Sequence, residues 1–170
     1  LIDEPFLIMA GGFGKRLGRL TSNCPKPMLK IGDKPILQHI IEKARNDGFT
    51  NIFISTHFLS HIIEDYFEDG EKFNVKIKYL KEKKPLGTGG CLQLLPEIKT
   101  PLVVTNGDLV SQIGYRTILD FHYSASSSAT MAVVEHKINH PFGVIKSDGI
   151  NLIGFDEKPI WKTNVNAGIY

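Results

Sequence analysis

Between residues 7 and 29 the chain reads LIMAGGFGKRLGRLTSNCPKPML, a stretch holding four glycines and four cationic side chains. Gly11, Gly12 and Gly14 let successive backbone N–H groups converge on an anion, and Lys15, Arg16 and Lys26 add full charges, so a phosphate site is expected here. Two familiar glycine loops are excluded. The string G-x-x-x-x-G-K-[ST] does not occur, and Gly12, Gly14 and Gly18 run one residue too long for the dinucleotide fingerprint G-x-G-x-x-G. The prolines on either side of Lys26 predict an extended segment in place of the helix that a dinucleotide loop opens into. A second glycine-rich loop, Pro85-Leu86-Gly87-Thr88-Gly89-Gly90, and a carboxylate in Asn106-Gly107-Asp108 complete the candidates. The hard oxygens of Asp108 suit Mg²⁺, the cation that nucleoside triphosphate chemistry uses.

These groups need a scaffold that brings distant loops together. Phe6 to Met9 reads as a buried strand emptying into the first loop. Pro35 suits a first helical turn, and Ile36, Leu37, Ile40, Ile41 and Ala44 repeat at helical spacing up to a C-capping Gly48. Asn51 to Ser55 and Val75 to Leu80 read as strands, with a helix from Leu59 to Phe67 between them that places Ile62, Ile63, Tyr66 and Phe67 on one face. Cys91, Leu92, Leu94 and Leu95 predict a helix after the second loop, and Leu102 to Thr105 a buried strand ending at the Asp108 loop. A helix from Tyr115 to Tyr123 turns Ile118, Leu119 and Phe121 inward, Ala129 to Val134 forms an apolar strand, and residues 166–170 read as a strand still in progress. The β-α-β-α-β order predicts an α/β protein with a Rossmann-like, mainly parallel sheet flanked by helices. In such sheets ligands bind beyond the carboxyl ends of the strands, where Asp108 falls.

GGFGKRL followed by PKPML resembles the signature of the sugar-phosphate nucleotidyltransferases, the nucleotide-sugar pyrophosphorylases. Further segments follow in that family's order: PLGTGG is similar to its base- and ribose-lining loop, Phe142-Gly143-Val144 to its sugar-side glycine, and Glu157-Lys158-Pro159 and Asn166-Ala167-Gly168 to its later motifs. The PLGTGG loop and the NAGIY end look closest to the mannose-1-phosphate guanylyltransferase-like branch. The resemblance implies the nucleotide-diphospho-sugar transferase fold and transfer of a nucleoside monophosphate from an NTP, GTP by preference, to a sugar 1-phosphate. It further implies Arg16 on the β- and γ-phosphates, Lys26 on the α-phosphate and Asp108 on Mg²⁺. Ala10, Gly11, Gly12, Gly14, Lys15, Gly87 and Thr88 would line the nucleotide, and Gly143, Glu157, Lys158 and Asn166 the sugar phosphate. A second metal-binding aspartate would lie beyond Tyr170, so residues 1–170 are expected to be a single nucleotidyltransferase domain lacking its C-terminal part. Two rival readings stay open: transfer to an alditol or amino-alcohol phosphate, which uses the same first loop, and a non-catalytic nucleotide-sensing module. The intact Arg16, Lys26 and Asp108 speak against the second.

At 170 residues and 42% hydrophobic content the chain can bury one core. A net charge of +2, without a Lys/Arg-dominated face, argues against nucleic-acid binding. No apolar run approaches the roughly 18 residues of a membrane span. Two cysteines with no metal or disulfide framework point to the cytoplasm, and the composition leaves room for a homo-oligomer. Lys76, Lys78, Lys81, Lys83 and Lys84 read first as a solvated strand edge and second as an attraction for triphosphate. Cys91 reads as a small packing residue, His122, His136 and His140 as surface or capping histidines, and His57 has no sequence partner.

Overall fold

Four consecutive apolar residues, Phe6–Met9, form β1 at the heart of a parallel sheet. The computed structural model describes residues 1–12, 18 and 21–170, which group into two compact units, Leu1–Thr130 with Gly168–Tyr170, and Met131–Ala167.

In the first unit a 3₁₀ turn, Lys26–Met28, leads into the short antiparallel pair β2 (Lys30–Ile31) and β3 (Lys34–Pro35) and then α1 (Ile36–Asn46). β4 (Asn51–Thr56), α2 (Ser60–Phe67), β5 (Lys76–Lys81), β6 (Val103–Asn106) and α3 (Tyr115–Ala125) follow. The strands lie in the order β5-β4-β1-β6, all parallel, with Phe6 opposite both Ile52 and Val103. Alternation along a strand sends Phe6 and Ile8 to one face and Leu7 and Met9 to the other. On the first face the Phe6 ring meets Phe49 at 5.2 Å and Tyr115 at 4.7 Å, and α1 buries Leu37, Ile40, Ile41 and Ala44. Burial pushes the Tyr115 phenol up to about 12. On the second face Leu7, Phe53, Leu80 and Cys91 form a cluster with Met9, Leu95, Leu102 and Val104. Cys91 is thus a packing residue, and burial pushes its thiol up, away from thiolate chemistry.

Tertiary contacts redraw several expectations. The segment around Lys26 is not extended: Pro25 is, but Lys26–Met28 closes a 3₁₀ turn, because buried Pro27 and Met28 draw it inward. Gly90–Leu94 is also 3₁₀, and Leu92 and Leu94 are exposed, since of these five residues Cys91 alone is in the cluster. Phe121 faces outward on α3, whose buried stripe is Tyr115, Ile118 and Leu119. Helix α1 is capped at Asp47, with Gly48 next in the left-handed region at φ +103°. The strand expected at 166–170 is a single antiparallel bridge, Thr105 to Ile169, flanked by mutual backbone bonds between Val104 and Tyr170. Lys76, Lys78 and Lys81 project from β5, an edge strand of this sheet, and Lys81 pairs with Glu64 at 2.7 Å, in keeping with the solvated-edge reading. Among the described residues no helix is long and apolar enough to cross a membrane.

Asp47 ties the end of α1 to the start of α3: its Oδ2 accepts from the Tyr115 backbone N–H at 2.7 Å and from Lys43 at 3.5 Å. Asp47→Ala leaves that first-turn N–H without its partner and is expected to cost about 1–2 kcal/mol, seen as a lower urea midpoint at unchanged slope.

The second unit is all β. β7 (Val133–Asn139) pairs antiparallel with β10 (Ile160–Asn166), and β8 (Val144–Asp148) with β9 (Asn151–Asp156). The strand expected at Ala129 to Val134 therefore begins later and is exposed, because its partner β10 supplies pairing without burial. His140 caps its turn by donating from Nδ1 to the Phe142 carbonyl at 2.9 Å, as expected of a capping histidine.

Candidate functional site

The chain crosses the first sheet from β1 through β4 to β5, then returns to the other side of β1 for β6, so strand order reverses between β1 and β6. The crevice beyond the carboxyl ends at such a reversal is where open parallel sheets bind ligands. Two loops meet there. The Gly107 N–H donates to the Met9 carbonyl at 2.8 Å, and a methyl group on Gly107 would stand 2.9 Å from that oxygen and 3.0 Å from Ala10 Cβ. Only glycine lets the β6 loop press so closely on β1, and this places Asp108 at the reversal. Lys26 reaches Asp108 from the 3₁₀ turn and forms an ion pair with it. Both side chains stay about one-third exposed, at 33% and 37%, so a cation and a carboxylate face solvent side by side.

The neighbouring strand ends add a second group. A methyl on Gly11 would lie 2.7 Å from Glu82 Oε1, and Glu82 Oε2 accepts from the Leu86 N–H at 3.1 Å. His57, at the end of β4, donates from Nδ1 to the Glu82 carbonyl at 2.7 Å. Ala10, also named from sequence, is buried and donates its N–H to the Ser55 carbonyl at 3.1 Å. Among the described residues nothing crowds Gly12, Gly87 takes a left-handed φ of +82°, and Thr88 is exposed. No local motif marks His57 or Glu82; the one signal in the sequence is their place just past the carboxyl ends of predicted strands. Gly14, Lys15 and Arg16 lie outside the described residues.

In the second unit Gly143 and Glu157 come together: a methyl on Gly143 would stand 3.2 Å from Glu157 Oε2 and 2.4 Å from the Phe155 ring. Gly143 is thus also needed to seat Phe155. Lys158 is exposed with φ +42°, and Asn166 ends β10 opposite Val133.

For Mg²⁺, the described residues offer no cluster of three or more His, Cys, Asp or Glu. Asp108 fits the cation as one hard ligand among phosphate and water oxygens, the usual mode for Mg²⁺ on a nucleotide.

The nucleotidyl transferase family profile matches residues 6–170. The chain belongs to that family. Among curated nucleotidyltransferases it is 36% identical over 176 residues to mannose-1-phosphate guanyltransferase of Pichia angusta, covering 96% of this chain and 48% of the relative. It is 34% identical, with the same coverage, to the Saccharomyces cerevisiae enzyme of that name. The chain thus spans about half the length of these relatives, at 48%. Among solved structures, HddC from Yersinia pseudotuberculosis matches with TM-score 0.69 and 25% identity, covering 98% of this chain and 75% of that one. A putative glucose-1-phosphate thymidylyltransferase from Bacillus anthracis, solved with sucrose, matches with TM-score 0.71 and 23% identity over 98% of this chain and 70% of that one, and supports the fold. The mainly parallel α/β sheet and the resemblance carried by GGFGKRL and PKPML are both borne out.

Proposed function

We propose that the whole protein transfers a nucleoside monophosphate from an NTP, with GTP favoured, to a sugar 1-phosphate and releases pyrophosphate. The observation that carries this reading is the Lys26–Asp108 pair at the strand-order reversal, beside the glycine loop that follows β1. Support for guanosine comes from the relatives named mannose-1-phosphate guanyltransferase and from a solved HddC complexed with GMP-PN.

A phosphate oxygen of the sugar attacks the α-phosphorus in line, a new P–O bond forms, and the bond to the bridging oxygen of pyrophosphate breaks. No enzyme nucleophile is required, so the protein contributes positioning and charge. Lys26 meets the α-phosphate and the incoming phosphate, which otherwise repel one another, and Arg16 meets the β- and γ-phosphates. Asp108 would hold Mg²⁺, which when bound neutralises the triphosphate and the departing pyrophosphate. Gly143, Glu157, Lys158 and Asn166 are the residues proposed for the sugar phosphate. Free thiols at Cys24 and Cys91 accord with a cytoplasmic setting.

A panel of NTPs against sugar 1-phosphates, read as pyrophosphate release by the full-length protein, tests the proposal. GTP with mannose 1-phosphate should give the highest kcat/KM. Release with an alditol phosphate alone would overturn the sugar assignment. Arg16→Ala should lower kcat/KM at least about tenfold, equivalent to about 1.4 kcal/mol, at unchanged Tm. An unchanged kcat/KM would remove Arg16 from the reaction.

A further inference from the structure

Glu82 poses a problem for a polyanion site. Its carboxylate lies against Gly11, the first residue of the loop proposed to receive phosphates, where a negative charge repels the ligand. Its contacts supply a reason. The backbone N–H donates to the Thr56 carbonyl at 2.9 Å, the carbonyl accepts from His57 Nδ1 at 2.7 Å, and Oε2 accepts from the Leu86 N–H at 3.1 Å. A carbonyl can only accept, so His57 carries its proton on Nδ1 and holds this contact whether the ring is neutral or charged. Gly90 packs closely against Leu86, since a methyl on Gly90 would stand 2.5 Å from the Leu86 Cβ. Glu82 is therefore held at both backbone atoms and at one carboxylate oxygen, and the other oxygen fills the space that Gly11 leaves.

We infer that Glu82 is a positioning residue that locks the PLGTGG loop to the loop after β1, and that Gly11 is glycine to admit the Glu82 carboxylate. A methyl at 2.7 Å from Oε1 would ordinarily be accommodated by swinging a flexible side chain away. Here the swing breaks the bond to Leu86, so the strain at Gly11 passes directly to the second loop. The lock is independent of any ligand; its effect on affinity rests on the nucleotide-site reading above.

The test uses Gly11→Ala, Glu82→Ala, Glu82→Gln and the Gly11→Ala/Glu82→Ala double variant of the full-length protein. Two readouts are taken: amide hydrogen exchange at Leu86 without nucleotide, and GTP affinity by calorimetry. Glu82→Ala should speed Leu86 exchange about tenfold or more. Glu82→Gln loses the charge and keeps the loop, so Glu82→Ala should bind GTP about fivefold more weakly than Glu82→Gln through the misplaced loop. Glu82→Gln keeps an oxygen that accepts from Leu86 and should retain most of the protection. In Leu86 exchange Gly11→Ala should mimic Glu82→Ala, yet add less than about twofold once Glu82 is already alanine, since both act on one contact. Unchanged Leu86 exchange in Glu82→Ala overturns the lock. So does a Gly11→Ala penalty of equal size with and without Glu82, which would assign the glycine to ligand approach. Faster Leu86 exchange in a protein that binds no NTP in any form would uphold the lock and remove the nucleotide reading instead.

Discussion

Asp108→Asn is expected to lower Mg²⁺-dependent kcat by about 10²–10³-fold while NTP binding in the absence of metal holds or tightens. Asn keeps the shape of the side chain and loses its charge, so the loop stays in place and the effect is electrostatic. Lys26 is paired with Asp108, and on the proposed function an incoming triphosphate takes Lys26 from that partner. An ion pair as exposed as this one is worth about 0–1 kcal/mol, so releasing Lys26 should improve metal-free affinity by no more than about fivefold. The opposite signs distinguish this mechanism from general damage to the site, which would lower both quantities. Stopped-flow pyrophosphate release with Mg²⁺, beside calorimetric GTP binding in EDTA, measures the two. Near-native turnover at ordinary Mg²⁺ would place the metal elsewhere. Weaker metal-free binding would show that Asp108 does not compete for Lys26.

Much of the scaffold behind this site is legible in the chain because its signals are local. The run FLIM, the helical repeat after Pro35 and the apolar segment before Asn106 each name their element without tertiary information, and each forms where expected. Expectations fail where a distant contact decides. The prolines beside Lys26 favour extension, but burial of Pro27 and Met28 closes the turn that aims Lys26 at Asp108, 82 residues away. Phe121 stands three residues after Ile118 and so is expected inward, yet it is exposed, because the buried stripe of α3 runs through Tyr115, Ile118 and Leu119. Glu82 and His57 carry no local motif; their roles exist only once β4 and β5 pair and bring residues 57 and 82 to the same sheet end. Gly107 is a subtler case. The string Asn106-Gly107-Asp108 does not say why its middle residue is glycine, whereas the structure supplies a packing reason, the approach to Met9 and Ala10.

That packing reason makes Gly107→Ala a severe change. The atoms a new methyl would meet are the Met9 carbonyl at 2.9 Å, Ala10 Cβ at 3.0 Å and Ala10 Cα at 3.1 Å. None is the free end of a flexible side chain. They belong to the central strand and its first loop residue, and β1 is bonded to β4 on one side and β6 on the other, so β1 cannot yield. The loop of residues 106–108 must retreat, stretching the 2.8 Å bond from Gly107 N–H to Met9 and carrying Asp108 with it. A displacement of about 1 Å at a reacting centre costs roughly a hundredfold in rate. The overpacking itself should cost about 1–3 kcal/mol of stability, seen as a lower Tm with the fold retained. A loss of turnover from partial unfolding and one from a misplaced carboxylate are separated by the Gly107→Ala/Asp108→Asn double variant. If glycine at 107 acts by placing Asp108, the double variant should turn over no more slowly than Asp108→Asn alone, since the group being positioned has already lost its charge. Penalties that multiply would mean that Gly107 serves the reaction by another route, and a Gly107→Ala enzyme with native kcat would show that the β6 loop adjusts without moving its carboxylate.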